Sequence, residues 1–377
     1  MGACRDQSRV YSQAGVALIS MLLVLAIVTA LCTQMLTKSR LELKRSEALI
    51  RTAQTEQMVF SGLAYGQVLV LKYTEKETNP GAARQVNEPS SQKEMGSGFE
   101  NRSLAHLQIQ GGAPLPEPEA GEASSVFVGP YWPFAGNAEE FSILIEDEQG
   151  KFNLNNLVNS NGKVNEAQLK VFQRILLALE LEPELALYIA DWIDYDRNPI
   201  AYNSEDFSYL QEVVAYRTAN RPIKYWREII SVKGVSQEVL EQLLAYVTAI
   251  PGPSKVNVNS ASSVLLEAMI PGLDGEALLE SRDANGGYSS VSELSKSTLT
   301  AGLKMDANLF SVDSAFYAIT AYCRFDGFES SWQILSERVE AKKKNKKPQL
   351  HTLWKRQLPF WELGLTKMQK IVDLENE

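Results

Sequence analysis

The residues best suited to chemistry lie in one acidic stretch, DWIDYDRNPIAYNSEDF, residues 191–207. Counting Asp194 as position one puts Asp196 at three, Asn198 at five and Glu205 at twelve. That is the spacing at which an EF-hand loop offers oxygen ligands to Ca²⁺. Position six departs from it, because Pro199 stands where the sharp turn of such a loop takes Gly. The stretch predicts a loop with similar chemistry rather than an EF-hand. Hard oxygen donors with no neighbouring His or Cys suit Ca²⁺ better than a transition metal. The competing reading is helix caps and solvated carboxylates. A cation here would be structural, locking an irregular loop whose carboxylates otherwise repel one another.

The rest of the chain narrows the chemistry further. The two histidines, His106 and His351, are far apart, so a His-rich zinc site is not expected. Cys4, Cys32 and Cys323 form no CxxC, and Cys32 sits in an apolar run that cannot easily reach Cys323. No intramolecular disulfide is expected. GxSxG, HExxH and P-loop motifs are absent, and no catalytic residue is assigned. A formal net charge of −9 over 377 residues argues against a general nucleic-acid binder. The five lysines at 342–347 read as a solvated hairpin tip. Asn153, Asn155 and Asn156 read as turn formers and backbone caps rather than ligands.

These residues need elements to position them. No charge occurs from Val10 to Thr37, which as a helix is long enough to cross a bilayer core of ~30 Å. Helical periodicity then continues through KSRLELKRSEALIRTAQTEQMVFSGLAYGQVLVLKY, interrupted only by Gly62 and Gly66. Lys38, Arg40, Lys44 and Arg45 come after the span, against Arg5 and Arg9 before it. A count of positive charges would put the later part of the chain in the cytoplasm. The interspersed Glu42 and Glu47 and the globular character of the C-terminal residues favour an exported domain instead. Val28-Thr29-Ala30 keeps ordinary signal cleavage open.

Gly15 followed by VALIS resembles the processing site of type IV pilins and pseudopilins. ILIEDEQGKFNLNNL, DWIDYDRNP, EDFSYL, AYRTANRPIKYWREIISVKGVS and KVNVNSASSVLLEAM resemble, in order, segments of one branch, the minor pseudopilin K of type II secretion systems. The resemblance implies cleavage by a prepilin peptidase after Gly15, with methylation of the new N-terminal Val16. Ser20 would then stand fifth, where most pilins carry Glu. The absent carboxylate suits a subunit with nothing stacked above it. The resemblance further implies a place at the tip of the pseudopilus, and minor pseudopilins I and J and the inner-membrane secretion platform as partners. It implies a single-pass inner-membrane location with a periplasmic C-terminal domain, and calcium in the acidic region. Within this sequence the ligand expectation falls on Asp194, Asp196, Glu205 and Asp206, with Asp191 and Asn203 secondary. The alternative is a membrane-anchored periplasmic interaction protein with a helix-hairpin-helix-like domain, nucleic-acid binding being its further option. It differs in whether processing occurs after Gly15, after Ala30 or not at all.

The expected fold class is α+β. It is a pilin-like fold with a long N-terminal helix, an antiparallel sheet and a large all-helical insert containing a helix-hairpin-helix-like unit. Residues 1–15 are a leader, 16–75 the transmembrane and amphipathic helix, and 76–125 a polar loop. The pilin-like part is 126–160 with 305–377, and the helical insert is 161–304. Within the insert, EAQLKVFQRILLALEL, PELALYIADWIDY and EVLEQLLAYVTAI carry helical periodicity. PGLDG forms the hairpin of the helix-hairpin-helix-like unit, with Asp274 where that pattern usually has Gly.

Overall fold

The computed structural model describes residues 7–78, 125–128, 140–340 and 348–359. The expected leader's first six residues, most of the polar loop and the Lys-rich 342–347 segment lie outside the described residues. In chain order the helices are α1 (Gln7–Thr78), α2 (Glu166–Ala178), α3 (Leu185–Ile193), α4 (Asp206–Tyr209), α5 (Gln237–Leu243), α6 (Ser263–Met269), α7 (Gly275–Asn285) and α8 (Val291–Lys296). The strands are β1 (Ser125–Val128), β2 (Glu140–Asp147), β3 (Phe152–Asn153), β4 (Val247–Thr248), β5 (Val256–Asn257), β6 (Phe310–Ser311), β7 (Phe316–Phe325), β8 (Phe328–Val339) and β9 (Gln349–Gln357).

Five strands form one antiparallel sheet in the order β1-β2-β7-β8-β9. The β7–β8 hairpin turns on Asp326 and Gly327, both at positive φ. An Asp-Gly pair adopts that backbone at little cost, and its twist matches the strands it joins. Alternation along the strands sends Phe141, Ile143, Ile145, Ile319, Ala321 and Cys323 to one face, where they meet Val59, Leu63, Leu69 and Val70 of α1. The helix must come very close there. A Cβ on Gly62 would lie 2.6 Å from the Phe141 ring, and one on Gly66 would lie 2.6 Å from Ile319 Cγ2. Two glycines that cost a helix about 1 kcal/mol each are thereby explained by backbone approach. Gly66→Val is expected to destabilise the sheet domain by about 1–3 kcal/mol through overpacking, read as a lower thermal midpoint. An unchanged midpoint would show that the helix does not press on Ile319 as described.

The side chains of Leu18 to Leu36 are exposed, and burial begins at Thr55. A helix whose uncharged residues from Leu18 to Leu36 are all exposed fits a single membrane span.

The helical part enters after β2 and returns at β7, its neighbour in the sheet. Asp147 clasps both crossing points. Its carboxylate accepts from Gln149 N (2.9 Å), Asn257 Nδ2 (3.1 Å) and Ser314 Oγ (2.7 Å). Gln149 adds a bond from Ala315 N to its Oε1 (2.6 Å).

The helical core begins earlier than the expected boundary at 161. Phe152, Leu154 and Leu157 pack with Phe172, Ile175, Ile189, Leu243 and Leu265 rather than with the sheet. EVLEQLLAYVTAI also departs from the expected helix. It is helical only to Leu243 and then runs into β4, which pairs in parallel with β3. Its apolar residues satisfy a helical period, but the backbone at Val247 and Thr248 is held by the partner strand.

The core contains an internal repeat. FNLNN at 152–156 and VNVNS at 256–260 each open a two-residue parallel strand pair, β3 with β4 and β5 with β6. RTANRPIKYWREI at 217–229 matches RDANGGYSSVSEL at 282–294. The hydrogen bonds match as well. Asn155 Oδ1 accepts from Ile223 N (2.8 Å), and its Nδ2 donates to Ile223 O and Ile250 O (both 2.9 Å). In the second half Asn259 Oδ1 accepts from Tyr288 N (2.8 Å), and its Nδ2 donates to Tyr288 O and Val312 O (both 3.0 Å). Glu228 and Glu293 each reach back to cap the turn before them. The asparagines thus serve as backbone clasps, as their residue type suggests.

Candidate metal centre

The two halves differ in length between their matched ends. Asn155 and Ile223 are 68 residues apart, whereas Asn259 and Tyr288 are 29 apart. The extra chain in the first half carries the acidic stretch.

The end of α3 supplies the first two carboxylates, Asp191 in its last turn and Asp194 as its C-cap residue. Asp191 and Asp194 lie one turn apart, at i and i+3, and so share a side of the helix end. The chain then loops through Pro199, and Glu205 caps α4. Carboxylate oxygens of Asp191, Asp194 and Glu205 lie within 4.8 Å of one another, and all three residues are buried. Asp191 is held by the loop itself. Ile200 N donates to its Oδ1 (3.1 Å) and Oδ2 (3.0 Å), and Ala201 N to its Oδ2 (3.3 Å). Glu205 Oε2 accepts from Asp206 N (3.3 Å) and Thr218 Oγ1 (3.1 Å). Trp192 meets Tyr209 and Tyr216 edge-on beside the loop.

Asp194 Oδ1 and Glu205 Oε1 are buried and accept no hydrogen bond from the described residues. A buried carboxylate oxygen without a partner is costly, and a cation removes that cost. Burial and the neighbouring carboxylates of Asp196, Asp191 and Glu205 push the Asp194 carboxyl up to about 7. Burial likewise raises Asp191 and Glu205. Three converging carboxylates with unsatisfied oxygens and no nitrogen or sulfur donor fit a hard divalent cation such as Ca²⁺.

The structure therefore regroups the expected ligands. Asp194 and Glu205 come together. Asp191, the secondary candidate, joins them, and its helical spacing from Asp194 was the sequence signal for it. Asp196 is exposed and instead accepts from Asn198 N (2.8 Å), closing its own turn. Asp206 turns to Thr218 N (3.1 Å), Thr218 Oγ1 (2.9 Å) and Arg217 (3.4 Å). Asn203 is at positive φ, in a turn. Gly15, Val16 and Ser20 all lie within α1, far in sequence from this centre.

The turn between α6 and α7 has the opposite character to an anion site. Asp274 caps α7 by accepting from Ala277 N (3.0 Å), and Glu267 accepts from Gly275 N (3.0 Å). The amides that would bind phosphate already hold carboxylates.

Comparison with known proteins divides the chain in the same way. Two family models described as type II secretion system, protein K, match residues 150–252 and 256–313, the two halves of the repeat. The type II secretion system protein K of Pseudomonas aeruginosa is 29% identical over 318 residues, covering 81% of this chain and 83% of that protein. The protein of the same name from Klebsiella pneumoniae is 32% identical over 182 residues, covering 44% of this chain and 56% of that one. Among solved structures, the complex of GspK, GspI and GspJ from the type 2 secretion system of enterotoxigenic Escherichia coli contains a chain with the same fold. The TM-score is 0.53 at 22% identity, over 62% of this chain and 84% of that one. Both halves of its helical core are thus similar to type II secretion system protein K, and a relative of that name aligns along most of the chain.

Proposed function

We propose that the protein is the minor pseudopilin at the tip of a type II secretion pseudopilus, initiating and capping its assembly. On its likeness to type II secretion system protein K it is a structural component of the secretion machinery, not an enzyme. The observation that carries the reading is the shape of α1. Its C-terminal part is sealed against the sheet, while its side chains from Leu18 to Leu36 stand exposed. Such a helix anchors in a membrane first and then offers the same surface to partner helices. The similar solved chain is in complex with GspI and GspJ, which supports minor pseudopilins I and J as partners here.

In this reading a prepilin peptidase cuts after Gly15, and Val16 becomes the methylated N-terminus in the inner membrane. Ser20 offers no carboxylate to the amine of a following subunit, so growth stops above this one. The helical part is the exposed cap in the periplasm, and its α6–α7 hairpin acts as a helix-hairpin-helix-like packing unit. Asp191, Asp194 and Glu205 would hold Ca²⁺ as a structural ion.

The test is the mass and N-terminal residue of the protein from cells carrying a prepilin peptidase, with co-purification of its partners. Methylated Val16 and recovery with pseudopilins I and J are expected. A start at Leu31 or an uncut Met1 would remove the fibre role.

A further inference from the structure

The charges at the end of the membrane span form a collar rather than a stripe. Lys38, Arg40, Lys44 and Arg45 come directly after the uncharged run that ends at Thr37. All four are exposed, and none forms an ion pair among the described residues. At ~100° per residue, Lys38 and Arg45 lie on one side of α1, and Arg40 and Lys44 lie on the opposite side. Arg40 and Lys44 are like charges at i and i+4, which by themselves weaken a helix. Leu41 and Leu43, both exposed, fall on opposite sides between them. Cations and leucines therefore surround the helix within ~10 Å of its length, and with Glu42 the single acid among them the segment 38–45 keeps a net charge of +3 (four cations less one acid).

A partner helix would meet only one side of such a segment. A plane of lipid headgroups meets all sides at once. It takes the leucines at the acyl boundary and lets the long basic side chains snorkel to phosphates. We propose that Lys38, Arg40, Lys44 and Arg45 form a binding collar for anionic phospholipid headgroups in the leaflet where α1 leaves the membrane. The proposal rests on α1 crossing a bilayer and not on the protein's place in a fibre, so an unprocessed N-terminus would leave it standing.

The test uses the full chain in mixed micelles of phosphatidylglycerol and phosphatidylcholine, with retained lipids counted by native mass spectrometry. The unaltered chain is expected to retain phosphatidylglycerol over phosphatidylcholine by about tenfold. K38Q/R40Q/K44Q/R45Q should bring the ratio close to one. K163Q/K170Q/K224Q/K233Q, at exposed lysines of the helical part, should leave it unchanged. Circular dichroism of each variant checks the fold. An unaltered preference in the collar variant would overturn the proposal. So would displacement of the lipid by inorganic phosphate, which would make the collar a free-anion site. Loss of a bound protein partner with lipid retention intact would assign the collar to a protein contact instead.

Discussion

Calcium added to the metal-free protein is expected to raise its unfolding midpoint, and Asp194→Asn is expected to abolish most of that rise. At a hundredfold excess over Kd, a ligand that binds only the folded state adds about 2.7 kcal/mol. Asp194 is the residue to change because its Oδ1 is buried without a hydrogen bond and three other acids crowd it. In the absence of metal the variant should be more stable than the parent at neutral pH, since the repulsion is gone. Asp196→Asn, at an exposed turn that closes on itself, should keep most of the calcium effect.

The pH dependence has a defined sign. The Asp194 carboxyl is raised from 3.8 to about 7 in the folded state, so the folded protein holds a proton that the unfolded chain has lost. Metal-free stability should therefore fall as pH rises from about 4 through 7, and recover on acidification. Asp191 and Glu205 shift in the same direction and add to this. With calcium bound the order reverses, because protons compete with the metal for the same oxygens. Thermal melts across that window, with and without a chelator, check both signs. A calcium effect of equal size in Asp194→Asn would place the ion elsewhere.

The second large effect is expected at Asn155. Asn155→Leu keeps the branched shape but strips Ile223 N and Ile223 O of their buried partner and leaves Ile250 O with the Asn153 amide alone. Each such group costs about 1–3 kcal/mol when left unsatisfied, so a loss of about 3–5 kcal/mol is expected in chemical denaturation. Asn159→Ala, at an exposed turn, should change stability by less than about 0.5 kcal/mol. Asn259→Leu should match Asn155→Leu, because the two residues hold equivalent bonds in the two halves. A loss below about 1 kcal/mol at Asn155 would mean that water replaces the amide and that the clasp is not a structural support.

What the sequence determined by itself was local or periodic. The uncharged run and the continuing helical period set α1, because a backbone with no water to bond must bond to itself. Aromatic and β-branched residues in FYAITAYCRF and FESSWQILSERV set β7 and β8, and Asp326-Gly327 set the turn between them. Acidic spacing marked the loop that holds the candidate metal centre. The selection within that loop was decided only by tertiary structure. Asp196 matches the ligand spacing, yet its carboxylate closes a local turn, while Asp191 is carried in by the end of α3. Counting positions along a chain assumes that the chain turns as in an EF-hand, and Pro199 directs it otherwise.

The repeat was present in the letters, in FNLNN with VNVNS and in RTANRPI with RDANGGY. Its meaning depended on the third dimension, since each asparagine bonds to backbone far away in sequence. The same holds for β4, whose two residues read as helix until their parallel partner β3 is placed beside them. Short-range propensity is worth a few tenths of a kcal/mol per residue. Buried hydrogen bonds and packing at such junctions are worth several times more, and they are settled only when the distant partners meet.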